Sequence, residues 1–400
     1  MTELDDFKQE VATWLDGNCP PSMRRPITTE EMVWGSSKLQ FQTEDQKLWF
    51  ERMRERGWFA PSWPKEYGGG GLNPKQNRVV ETEMAKRGCR QPQYNLGVWM
   101  LGPVLLEFGS HEQKLEHLVP MMKGQQRWCQ GFSEPNAGSD LASLKTSARL
   151  VKNEGGEDYY VVNGGKIWTS DGDKADWMYA LVRTDSSSKK QNGISFVLID
   201  MKSPGVTVKP IELISGKSSF CQVFFDEVRV PARQLVGKEG EGWTLGKKLL
   251  QHERAAMSKF TEGGAPSADA LAVTLQYMDR DADGKLEDAA LRQRLAAVLM
   301  DAQSFTLTHR RVTEMALARK DVNGPGSIMK LVQTEQEVAK YELLEQAMGL
   351  RGLGWDGEDF STEEIDLCRT WLRTKTYTIA GGSSEVQLNI IAKRVLDLPA

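Results

Sequence analysis

The chain has 400 residues, 40% hydrophobic and 26% charged, with a formal net charge of −4. That length supports two or three domains with cores of their own, and so small a net charge excludes a broad basic field, which makes nucleic acid and anionic membrane poor partners. Five cysteines with no C-x-x-C pair argue against a disulfide framework or a zinc site; with an acidic start at Met1–Asp6 and no apolar run of membrane-span length, they predict a cytoplasmic protein.

Residues 1–124 read as helices joined by turns. Leu48, Trp49, Met53 and Trp58 fall at helical spacing and end at Pro61-Ser62-Trp63-Pro64; Leu101, Val104, Leu105 and Phe108 mark a second amphipathic stretch, stopped at Gly109. From Trp128 to Val230 the texture changes to strand-like runs separated by Gly, Asp, Ser and Pro: Tyr159–Val162, Trp177–Val182, Ile194–Ile199, Val206–Ile211 and Val223–Val230. Asn163-Gly164 is a tight-turn signal. After Pro231 the helical period returns, over roughly 242–262, 289–319, 327–348 and 384–396. The expected class is α+β, with a helical domain at 1–124, a β-domain at 125–235 and a helical domain at 236–400.

Two suggestive patterns are set aside. Asp279-Arg280-Asp281-Ala282-Asp283-Gly284 imitates the start of an EF-hand loop, but the bidentate Glu required at the twelfth position is Ala290. The four histidines, His111, His117, His252 and His309, stand in no metal-binding motif, so no metal is expected. Twelve tryptophans are compatible with walls for a flat cofactor, although core packing accounts for many.

The informative stretch is Trp128-Cys129-Gln130-Gly131-Phe132-Ser133-Glu134-Pro135-Asn136-Ala137-Gly138-Ser139-Asp140. Small residues there let backbone N–H groups approach a planar ligand edge, and the hydroxyls of Ser133 and Ser139 can donate; taken alone it could also be an ordinary polar turn. It resembles the acyl-CoA dehydrogenase signature. Asn163-Gly164-Gly165-Lys166-Ile167-Trp168-Thr169-Ser170-Asp171-Gly172 resembles the family's second flavin segment, at the family's distance from the first. Phe224–Pro231, Gln346-Ala347-Met348-Gly349 with Gly352 and Gly354, and Gly381–Gln387 extend the resemblance in order over nearly the whole chain. It implies a helical N-terminal domain, a barrel-like β-domain and a C-terminal four-helix bundle.

The resemblance also implies FAD. Contacts would come from Gln130, Phe132, Ser133, Gly138 and Ser139, with Trp168 against the flavin rings and Ser170 facing the reactive nitrogen. Gln346, Gly349, Ser383 and Glu385 would serve the nucleotide, the first two that of a neighbouring subunit. The family's arginine-and-phenylalanine loop for the pyrophosphate is not apparent between 262 and 290. The implied reaction is α,β-dehydrogenation of an acyl-CoA by a homodimer or homotetramer that passes electrons to an electron-transfer flavoprotein. An oxidase or desulfinase on the same scaffold, or a non-catalytic FAD-binding subunit of a heteromer, are the other readings.

The reaction needs a carboxylate base and donors to the thioester oxygen. Many family members place the base where this chain has Gly381, whose backbone N–H could still polarise the thioester. Others place it on the helix after the β-domain, where Leu249-Leu250-Gln251-His252-Glu253-Arg254 matches L-x-x-E-R at Glu253. Glu253 shares a helical face with Leu249, Leu250, Ala256, Met257 and Phe260, and a carboxylate there must be paired or functional. The other reading is a core glutamate held by an arginine such as Arg254, which with Ser139 would otherwise contact substrate. Glu385 is the second candidate base.

Overall fold

The computed structural model describes residues 2–25, 27–28, 31–188, 190–260, 268–318, 320 and 322–399, and the side chains at these positions other than 254–260, 316, 317 and 323. The chain divides into two compact units: Met1–Ile211 with Ser219–Ala265, and Glu212–Ser218 with Pro266–Ala400.

The first unit opens with α1 (Glu3–Asn18), α2 (Glu44–Glu55), α3 (Pro74–Lys86), α4 (Gly102–Phe108), α5 (His111–Gln113) and α6 (Val119–Met122). Capping side chains set four of the starts: Thr2, Thr43, Asn73 and Ser110 each accept from a backbone N–H of the first turn. The predicted helical stretches are present, and Trp49, Met53, Leu101, Val104 and Leu105 are buried as their spacing requires. Leu48 instead faces solvent, and Trp58 reaches the core from the turn beyond α2.

Among the described residues, eight strands follow: β1 (Trp128–Gly131), β2 (Ser147–Val151), β3 (Tyr159–Ser170), β4 (Trp177–Arg183), β5 (Ile194–Asp200), β6 (Val206–Ile211), β7 (Phe220–Pro231) and β8 (Leu235–Val236). They form one mostly antiparallel sheet in the order β6-β7-β3-β2-β4-β5-β8, with β1 parallel to β4. β4 and β5 are buried almost without interruption because alternate residues serve two cores. Tyr179, Leu181, Phe196 and Leu198 pack with the N-terminal helices and with Leu245 and Leu249 of α7 (Gly242–Phe260). Met178, Ala180, Val182, Val197 and Ile199 pack inside the β-domain.

The expectation of a tight turn at Asn163-Gly164 is corrected. β3 runs through both residues, and the register against β7 slips between Val162 and Gly164. Gly164, at φ +136°, forms a bulge in which a Cβ would stand 2.8 Å from the Thr146 Cα. A glycine that permits a turn permits a bulge equally, and the long pairing of β3 with β7 selects the bulge.

The second unit holds α8 (Ala270–Tyr277), α9 (Ala289–Leu317), α10 (Asn323–Met348), α11 (Thr362–Thr374) and α12 (Ser384–Arg394). α10 is its axis and packs against the other four, with Leu291, Leu295, Tyr341, Leu343 and Leu344 in the core. α10 begins earlier than its apolar period, because Pro325 lies in the first turn, where a missing N–H does no harm. The acidic segment before α9 is a turn in which the Asp281 carboxylate accepts from the N–H groups of Asp283 and Lys285. Among the described residues, no helix is long and apolar enough to cross a membrane.

Candidate active site

The two flavin-like segments lie side by side. The Ser133 carbonyl accepts from the Ile167 N–H at 2.9 Å. Lys166, fully buried, reaches from β3 to the Phe132 carbonyl at 3.2 Å and to Glu134 Oε1 at 2.8 Å. Glu134 also accepts from the N–H groups of Lys145 and Thr146 at 2.7 and 2.9 Å. Burial alone would raise the Glu134 carboxyl, but the Lys166 charge and these hydrogen bonds outweigh it and hold the group below its ordinary range. Burial pulls Lys166 down to about 8, against the opposing pull of Glu134.

This brace supports an unusual residue. The β3–β7 register slips again between Lys166 and Thr169, and Trp168, inside that slip, has φ +60°. A bulky side chain rarely adopts that conformation, which costs about 1–2 kcal/mol. It turns the indole out of the sheet, 54% exposed, with an edge contact to Phe220 at 6.1 Å. Ser170 follows, half-buried. Strain that presents an uncovered aromatic face beside a hydroxyl fits a planar ligand.

The remaining residues of the first segment divide. Gly138 and Ser139 are exposed, and a Cβ at Gly138 would meet nothing within 4 Å. Gln130 is half-buried and accepts the Tyr179 hydroxyl at 3.3 Å. Phe132 differs: its ring is in the core, edge-on to Tyr179 and Phe196, and its carbonyl accepts from Lys166, so any contact to a ligand falls to its backbone N–H.

Glu253 lies one helical turn beyond Leu249 and two beyond Leu245, both fully buried. It is half-buried, and its charge, after burial, helps to push the Tyr179 phenol well above its ordinary range. Glu253 is thus near enough for its charge to act on Tyr179, whose hydroxyl donates to Gln130 of the flavin-like strand. The side chains of Ala256, Met257 and Phe260, expected to share this helix surface, and of Arg254, expected to pair with Glu253 or to contact substrate, lie outside the described residues.

In the second unit, Gly349 ends α10 at φ +56°. The turn that follows is tied to α11 by two hydrogen bonds from Arg351 to the buried Glu364 carboxylate, at 2.7 and 2.8 Å. Gln346 is exposed and hydrogen-bonds Arg294 of α9. Ser383 caps α12 by accepting from the Val386 N–H, and Glu385 is exposed in the first turn. Gly381 (φ +67°) and Gly382 (φ +98°) precede it. A Cβ at Gly382 would collide with Gln387 Nε2 at 2.5 Å, whereas at Gly381 its nearest neighbour would be Lys330 Cε at 4.0 Å.

Sequence reasoning missed Tyr179, the Lys166–Glu134 pair and Lys330. Lys166, in a strand otherwise rich in apolar and small residues, was a visible signal of a buried partner; nothing local marked the other two.

The sequence models for the acyl-CoA dehydrogenase N-terminal, middle and C-terminal domains match residues 2–125, 129–228 and 240–396. The chain is 32% identical to the acyl-CoA dehydrogenase IpdE1 of Mycolicibacterium smegmatis, over 100% of this chain and 99% of that protein. It is 36% identical to the acyl-CoA dehydrogenase FadE34 of Mycobacterium tuberculosis, over 87% of this chain and 45% of that protein. Among solved structures it resembles the Tcur3481-Tcur3483 steroid ACAD, with TM-score 0.72, 25% identity and coverage of 99% and 97% of the two chains. It also resembles a chain of the ChsE4-ChsE5 complex from Mycobacterium tuberculosis, with TM-score 0.69, 26% identity and coverage of 100% and 98%. With its three domains in the family's order, the chain belongs to the acyl-CoA dehydrogenase family of flavoprotein oxidoreductases.

Proposed function

We propose that this protein is a cytoplasmic, FAD-dependent acyl-CoA dehydrogenase in which Glu253 is the base. The observation that carries the reading is the position of Glu253: on the buried stripe of α7, with its charge felt by Tyr179, which in turn donates to Gln130 in the flavin-like strand. FAD, when bound, supplies the two-electron acceptor. Trp168, Ser170, Ser133, Ser139 and the main chain of Phe132 would hold its ring system, and Gln346, Gly349, Ser383 and Glu385 its nucleotide.

Glu253 takes the α-proton of the acyl group while the thioester oxygen gains charge, and the Gly381 N–H donates to that oxygen. The open space at Gly381 leaves room for an acyl group bulkier than a straight chain. A solved relative titled a steroid ACAD points the same way. Electrons leave to an electron-transfer flavoprotein, and the cofactor lies at an interface between subunits. A heteromer with a second, related chain is the other reading of that assembly, favoured by relatives whose titles pair two proteins.

The test is anaerobic titration of the purified yellow protein with straight-chain, branched and polycyclic acyl-CoA thioesters, repeated for Glu253→Gln. A bulky thioester should bleach the wild-type flavin, and the variant should bind it but reduce roughly 10²–10⁴-fold more slowly. Reduction of Glu253→Gln at the wild-type rate would move the base elsewhere, with Glu385 tested next.

A further inference from the structure

Lys330 lies on α10, half-buried, and is spent on the turn before α12. Its Nζ donates to the Gly382 carbonyl at 2.6 Å and to the Tyr377 carbonyl at 3.2 Å. Gln387, buried, donates from Nε2 to the Gly381 carbonyl at 3.3 Å, and the Ser384 N–H donates to the Thr378 carbonyl at 2.9 Å. On the upstream side, the Ala380 N–H is held by the Thr376 carbonyl at 2.9 Å. The peptide planes that flank the one carrying the Gly381 N–H are therefore tied on both sides: the 379–380 plane through the Ala380 N–H, and the 381–382 and 382–383 planes through the Gly381 and Gly382 carbonyls.

Such tethering is needed because consecutive glycines at φ +67° and +98° have more backbone freedom to lose than any other pair. A peptide plane is rigid, so pinning a carbonyl fixes the direction of the N–H that shares its plane. Gln387 thereby sets the Gly382 N–H and Lys330 sets the Ser383 N–H. The φ and ψ of Gly381 are caught between Ala380 on one side and these two bonds on the other. The ammonium also stands beside the turn, its Cε 4.0 Å from the site a Gly381 Cβ would occupy. Burial lowers its pKa from the ordinary lysine value, with the Glu335 charge opposing.

We infer that Lys330 is a positioning residue of the reaction: it holds the Gly381–Gly382 turn so that the turn's N–H faces the thioester oxygen, and it adds a fixed positive charge near the oxygen where negative charge develops. This rests on the assignment of Gly381 to the thioester made above. Lys330 itself touches no reacting atom. A fixed donor acts more strongly in the transition state than in the ground state, so its loss should fall on the chemical step rather than on binding.

The test uses holoenzyme carrying Lys330→Met, Lys330→Gln or Lys330→Arg. Two quantities are read: the rate of flavin reduction by the best acyl-CoA, and the infrared stretch of a bound, carbonyl-¹³C-labelled 2-enoyl-CoA, whose frequency falls as its carbonyl is polarised. Wild type should lower the stretch relative to free thioester. Lys330→Met should move it back toward the free value and slow reduction roughly 10²–10³-fold, with affinity changed less than about threefold. Lys330→Arg should recover part of both, because it keeps the charge. If the Met variant does not fold, Lys330→Gln, which keeps donors without charge, carries the same comparison. A Met or Gln variant with wild-type rate and wild-type stretch overturns the role of Lys330 and leaves Gly381 in place. A wild-type protein that binds the thioester without shifting its carbonyl overturns the Gly381 assignment itself, and the inference with it.

Discussion

Lys166 Nζ lies 2.8 Å from Glu134 Oε1, and neither side chain reaches water to any useful extent. One end of this pair belongs to the turn after β1 and the other to β3, so a single buried ion pair fastens together the two segments that resemble flavin-binding motifs. Removing one partner of such a pair leaves the other charge uncompensated in a low-dielectric interior. Lys166→Met should destabilise the protein by about 3–5 kcal/mol in urea unfolding, and the recovered protein should carry less flavin. Lys166→Met with Glu134→Gln should regain a substantial part of that loss, which a purely steric role for Lys166 does not predict.

Trp168 offers a test in which stability and ligand affinity move in opposite directions. Its left-handed backbone is strained for a bulky side chain, and asparagine tolerates that conformation better. Trp168→Asn should leave the flavin-free protein as stable as wild type or up to ~1 kcal/mol more stable. Flavin affinity should fall about tenfold with loss of the aromatic face. Differential scanning of the apo form and fluorescence titration with FAD measure the two effects. A variant that loses stability and retains full flavin affinity would show that the indole serves the fold.

Gly381→Ala separates backbone strain from substrate room. A Cβ there meets no close neighbour, so the expected penalty is the left-handed conformation alone, about 1–2 kcal/mol in urea unfolding. Steady-state kinetics should show KM rising for a polycyclic acyl-CoA and holding for a short straight chain. Equal rises for both would place the acyl group away from Gly381.

Glu345 gives the second unit a pH dependence. Burial pushes its carboxyl up to about 7, with Lys375 opposing, and its Oε2 would sit 2.4 Å from a Cβ on Gly352, in the turn that follows α10. Because the folded value is raised above the unfolded one, its contribution is complete below about pH 4.5 and is lost as the pH rises through about 7. Glu345→Gln should therefore match wild type at low pH and exceed it at pH 8 by about 1 kcal/mol, a figure reduced for solvent screening of a half-exposed group. Urea denaturation at the two pH values decides; an equal difference at both would mean that ionisation of Glu345 is not responsible.

What the sequence determined by itself was whatever depends on residues close together along the chain. Helical period gave α7, α9, α10 and α12, though not α8 or α11, and placed Glu253 on one face with Leu249 and Leu250; the polar turn Ser133–Asp140 and the segment Asn163–Gly172 were legible as short strings of residues. The tertiary structure decided whatever depends on remote pairing. Asn163-Gly164 became a bulge because β3 continues along β7. The same pairing set Trp168 outside the sheet. Residues of β4 and β5 that look uniformly apolar were sorted between two cores by strand alternation. Tyr179 met Gln130 across 49 positions, Lys166 met Glu134 across 32, and Lys330 reached the Gly382 carbonyl across 52. Local periodicity reports which face of an element is apolar. It carries no information about which polar atom on another element will meet a buried donor, because that is fixed only when the elements pack.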